Sequence, residues 1–75
     1  MSGKYIVVFK KTASDEVIEQ HANDVAKAGG AVHSRYDTVL RGFSASIPEA
    51  HLTQLQSLQG GDIDYIEPDG VVTTQ

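Results

Sequence analysis

Seventy-five residues with a formal charge of −4 and no cysteine make one small domain held by packing, because neither a disulfide nor a thiolate metal site can staple it. The acidic balance, with Asp62, Asp64, Glu67 and Asp69 close together near the end, argues against nucleic acid as a partner. The apolar run at the amino terminus is too short for a signal peptide or a membrane span, so the expectation is a soluble, cytoplasmic monomer with no membrane contact.

The stretch KYIVVFK, Lys4 to Lys10, is rich in β-branched and aromatic residues and reads as a strand buried on both faces, hence central in its sheet. Ser14 can cap a helix whose first turn carries Asp15 and Glu16. Its apolar positions Val17, Ile18, Ala22, Val25 and Ala26 recur at helical spacing until Gly29 and Gly30 end it. From Ala31 to Tyr36 the chain is strand-like but half polar, as an edge is, and Asp37-Thr38 begins a connection. Gly42 to Ile47 then alternates, with Phe43, Ala45 and Ile47 on one face and Ser44 and Ser46 on the other.

Pro48 suits the first turn of a second helix, whose buried stripe is Leu52, Leu55 and Leu58 and whose stop is Gly60-Gly61. Ile63 to Glu67 forms the last strand. The order β-α-β-β-α-β with right-handed crossovers gives an α+β, ferredoxin-like open sandwich, a four-stranded antiparallel sheet with two helices on one face. Residues 1–70 make the domain. Residues 71–75, Val71, Val72, Thr73, Thr74 and Gln75, follow the turn signal Pro68-Asp69-Gly70 as an extended, mostly β-branched tail. Because the first strand offers large apolar side chains to both faces, the face without helices should present an apolar patch to a partner.

The remaining motifs carry no chemistry. Arg41-Gly42-Phe43 opens like the third-strand signature of an RNA-recognition domain, but Ser44 and Ser46 stand where that signature is apolar and Ala45 replaces its second aromatic. His21, His33 and His51 lie in three elements without ligand spacing, and His33-Ser34 makes no triad. The carboxylates from Asp62 to Asp69 lack the spacing and central glycine of a calcium loop. Both Gly-Gly pairs fall at helix ends, where glycine relieves backbone strain, and neither makes a phosphate loop. No catalytic constellation is present, and the reading is of a protein that is not an enzyme, without metal or cofactor.

Taken together, KYIVVFK, the helix ending in Gly-Gly, the strand RGFSASIP and above all DYIEPDGVVTTQ closely resemble the propeptide domains of subtilisin-like serine proteases. The free-standing fungal proteinase A and proteinase B inhibitors of the same family are more similar still. The resemblance spans nearly the whole chain and implies an inhibitor that binds a subtilisin-like serine protease. The open sheet face would pack on two protease surface helices, and the family's E-x-D pair, here Glu67 and Asp69, would cap the amino termini of those helices. The tail would enter the substrate groove as an added strand, with Gln75 in the first specificity pocket and Val72 in the fourth. A chain ending at the position of a cut product favours inhibition in trans over folding assistance in cis, although an intramolecular-chaperone-like activity is compatible with the resemblance. Gln75 departs from the large aromatic residue that many subtilisins prefer. The alternative reading is a small ferredoxin-like regulatory or interaction module with no protease target.

Overall fold

Strand β1 (Ser2–Phe9) occupies the centre of a four-stranded antiparallel sheet of order β2-β3-β1-β4. The computed structural model describes residues 2–37 and 40–69. Helix α1 (Asp15–Lys27) follows β1, β2 (Ala31–Asp37) and β3 (Arg41–Pro48) form the next hairpin, and α2 (Glu49–Ser57) leads to β4 (Ile63–Pro68). Helix α1 packs over β2 and β3 and α2 over β3 and β4. The element order and open-sandwich architecture are those read from the sequence.

The core lies between the helices and one face of the sheet. Val7, Phe43, Ala45, Ile47 and Ile63 from the strands meet Ile18, Ala22, Val25, Leu52 and Leu55 from the helices, each buried. Alternation decides which face each residue takes, so Phe43, Ala45 and Ile47 turn inward while Ser44 and Ser46 turn outward, with Val7 directly opposite both Phe43 and Ile66. The rings of Phe9 and Phe43 sit 5.9 Å apart at a tilt of 44°, a tilted contact within the centroid range of favourable aromatic pairs.

Local chemistry sets the element ends. The Ser14 hydroxyl accepts the Val17 N–H, capping α1 as expected, while Asp15 and Glu16 sit in its first turn. Glycines at 29 and 60 take φ of 98° and 97° after the two helices, a conformation that only glycine adopts at little cost. Gly42 is required for a different reason. A Cβ there would stand 1.9 Å from the Val7 carbonyl oxygen, so the β1–β3 pairing can close only on a bare backbone.

Three expectations are corrected. Ala26 is exposed, because α1 buries only the narrower stripe Ile18, Ala22 and Val25. Leu58 is 44% exposed, because α2 ends at Ser57 and Leu58 turns away as its C-cap. Pro48 is the last residue of β3 and the N-cap of α2, with an extended ψ of 146°, and stands one position before the first turn.

Polar ties close the far end of the sheet. One Arg41 nitrogen, Nη2, donates to the Ala13 carbonyl at 2.9 Å and to Asp15 Oδ1 at 2.8 Å, joining β3 to the start of α1. The Lys10 ammonium donates to the Gly60 carbonyl at 2.9 Å, holding the turn before β4. Phe43, near the start of β3, is the largest fully buried side chain among the described residues. Phe43→Ala is expected to cost about 3–5 kcal/mol, much of the stability of so small a domain. Urea unfolding would measure it, and a loss below about 1 kcal/mol would mean that the surrounding core collapses into the space.

Candidate functional site

The open face of the sheet is built by the same alternation that builds the core. On β4 the residues opposite Ile6 and Val8 are Glu67 and Tyr65, while Ile66 and Pro68 stand opposite Val7 and Tyr5 on the helix side. The ladder continues one residue past the strand, since the Asp69 N–H donates to the Lys4 carbonyl at 2.9 Å. Asp69 therefore faces Lys4 and shares the open side with Glu67.

Three rows cross this face. Ser34, Ser44, Ile6 and Glu67 form one, and Tyr36, Gly42, Val8 and Tyr65 another. The third runs from Ser46 through Lys4 to Asp69, with His33 Nε2 2.8 Å from the Ser46 hydroxyl. His33 reaches it from a register shift in β2 between Val32 and Ser34, a bulge that re-aims the strand. That bulge has no signal in the sequence.

The expected apolar patch is narrower than the sequence implied. Val8 points to the open side and is nonetheless only 5% exposed, Ile6 is half-buried and Ser44 is buried, which leaves Tyr65, at 40%, as the large exposed apolar side chain of the face. A groove of about 490 Å³ at the end remote from Asp69 is lined by Val8, Leu40 and Tyr65 together with Lys10, Arg41 and Asp64. Its charges are mixed, with Lys10, Lys11 and Arg41 beside Asp37 and Asp64, and of these Lys10 and Arg41 are engaged in the ties described above.

The acidic pair is the more distinctive feature. Glu67 is exposed and Asp69 half-buried, and among the described residues the ion pairs are Arg35 with Glu19 and Arg41 with Asp15. Neither Glu67 nor Asp69 takes part. Two carboxylates two residues apart on one face, without a side-chain hydrogen bond to another described residue, suit N–H groups left orphaned at helix amino termini. Lys4 is the neighbouring cation, which sequence reasoning passed over because its side depends on the register.

The sequence-marked histidines are not brought together: His21 lies against Phe9 at 5.5 Å, His33 on the open face, and His51 on α2. Among the described residues no group of three or more His, Cys, Asp or Glu could hold a metal ion. The proposed groove residues Val71, Val72, Thr73, Thr74 and Gln75 lie outside the described residues.

Comparison with known proteins gives this geometry a context. The family model of peptidase inhibitor I9 matches residues 4–75. Serine proteinase inhibitor IA-2 of Pleurotus ostreatus is 41% identical over 75 residues, covering 99% of each chain. Protease B inhibitor 1 of Saccharomyces cerevisiae is 28% identical over 75 residues, again covering 99% of each. Subtilisin-like protease 6 of Trichophyton schoenleinii is 31% identical over 87 aligned positions, covering 95% of this chain but 21% of that protein. The match of the family model to nearly the whole sequence, together with end-to-end identity to relatives of the same length, establishes that the chain belongs to the peptidase inhibitor I9 family.

Proposed function

We propose that the protein inhibits subtilisin-like serine proteases in trans, using the open sheet face and the C-terminal segment that follows it. The observation that carries this reading is the placement of Glu67 and Asp69, without an ion pair among the described residues and on one face, at the end of an edge strand immediately before that segment. The names of the relatives and the family model support the same class of partner.

The physical scheme has three parts. Val71 to Gln75 add to the substrate groove as an extended strand, where main-chain hydrogen bonds give affinity and alternate side chains give specificity. Val72 then enters the fourth pocket and Gln75 the first. Glu67 and Asp69 accept N–H groups at the amino termini of protease surface helices, where positive dipole ends favour carboxylates. The open face between Tyr65 and Ile6 covers the helices themselves. No group of the inhibitor performs chemistry; it occupies the groove and excludes substrate.

Deleting Val72 to Gln75 should leave the fold unchanged, since the described residues from Val7 to Ile63 already close a core between the helices and the sheet. It should weaken inhibition by about two orders of magnitude or more, several groove hydrogen bonds each being worth roughly 1 kcal/mol net. Titration of subtilisin activity with the full-length and shortened proteins checks this, and an unchanged inhibition constant would sink the reading.

Replacing Glu67 and Asp69 together by alanine tests the capping role separately. Each cap is worth about 0.5–2 kcal/mol, so the double variant should bind subtilisin roughly tenfold to a thousandfold more weakly. Its thermal unfolding should stay close to that of the parent, because neither carboxylate is ion-paired among the described residues. Calorimetry showing equal affinity would assign the pair to solubility alone.

A further inference from the structure

Tyr5 stands where the sheet hands the chain over to its C-terminal segment. It projects from the helix side of β1, half-buried against the edge of the core, with Pro68 as its cross-strand partner. Its ring does not point straight off the sheet. A Cβ built on Gly3 would lie 3.0 Å from Tyr5 Cε2, 3.3 Å from its hydroxyl oxygen and 3.4 Å from Cζ. The outer end of the ring therefore fills the space that any larger residue at position 3 would need, running back along β1 toward its amino terminus.

Because β1 and β4 are antiparallel, that direction is the one in which the chain proceeds beyond Pro68. There the ladder ends on one bond, from the Asp69 N–H to the Lys4 carbonyl at 2.9 Å. Pro68 has a fixed φ and, next to the bonded Lys4/Asp69 pair, stands in a non-hydrogen-bonded pair with Tyr5, so no main-chain bond of its own joins it to β1. The last ladder bond thus depends on whatever keeps Pro68 seated against β1. Directly opposed side chains in an antiparallel pair come within about 4.5–5.5 Å at Cβ, and the one opposite Pro68 is Tyr5.

We infer that Tyr5 is a positioning residue: with Gly3 as the slot that receives its ring and Pro68 as the residue it braces, it fixes the end of β4. It thereby sets both the direction of Asp69 and the departure of the C-terminal segment toward the protease groove. The inference rests on the proposed inhibitory reading for its functional consequence, but the clamp itself is a property of the free domain. A residue that merely closed the core at this edge could be leucine. The clamp needs a ring long enough to lie over Gly3.

Tyr5→Leu keeps apolar cover and removes the reach, while Gly3→Val keeps the ring and takes away its slot. In the free protein, amide hydrogen exchange should show Asp69 exchanging about fivefold faster in either variant relative to the amides shared by β1 and β3, the upper range for one cross-strand pair. Inhibition of subtilisin should weaken by about the same factor. Unchanged relative exchange at Asp69, an acceleration spread uniformly over the sheet, or faster exchange with an unaltered inhibition constant would each overturn the assignment. Failure of the unaltered protein to inhibit any subtilisin-like protease would instead overturn the proposed function, and the exchange measurement would still decide whether the clamp exists.

Discussion

The pairing of β1 on both of its edges is the constraint from which the rest of the structure follows. One strand supplies partners to β3 along its whole length and to β4 along its second half. It must be apolar on the helix side to build the core and sufficiently apolar on the other to survive beneath its neighbours. Val7, Val8 and Phe9, nearly fully buried although they alternate in direction, meet that demand. With no disulfide available, this two-sided burial carries stability that larger domains distribute over several strands. It also fixes the register of β4, and so decides on which side each carboxylate of the acidic pair emerges.

Much of this was legible in the sequence because period and punctuation agreed. The run IVVF could belong only to a central strand, FSASI declared its two faces, and Ser14 with Gly29 bracketed α1. Where reading fell short, the physical reason is specific. Helical spacing includes Ala26 and Leu58 in the apolar stripes, but spacing does not reveal how wide a stripe the sheet beneath can cover, nor that α2 ends at Ser57, before Leu58. The open face was judged too apolar because composition cannot show that Val8 is nearly covered on a face without helices. The bulge beside His33 and the lean of Tyr5 over Gly3 are tertiary facts with no periodic signature.

The acidic pair shows the opposite case. Its residues were singled out by family resemblance, and the structure adds the reason that two residues separated by a proline can act as one element. Strand alternation places Glu67 and Asp69 on the same side, and Pro68 between them takes the other. Among the described residues neither carboxylate is engaged in an ion pair, while the guanidinium groups of Arg35 and Arg41 are occupied by Glu19 and Asp15 on the helix side. Charge on the two sides of the sheet is thus divided between internal ties and groups open to a partner.

The rims of the sheet have a consequence for the protein in concentrated solution. A module proposed to lend a strand to another molecule risks lending one to its own copies, because unpaired backbone at a sheet rim is a template for any passing strand. The β4 rim is only six residues long and includes Asp64, Glu67 and a proline. The β2 rim is bent at the His33 irregularity and bears Arg35 and Asp37. Two copies meeting rim to rim would forfeit ladder bonds at the proline and bulge and bring charges into a dry contact, so self-association through the described strands is disfavoured by the same residues that finish the fold.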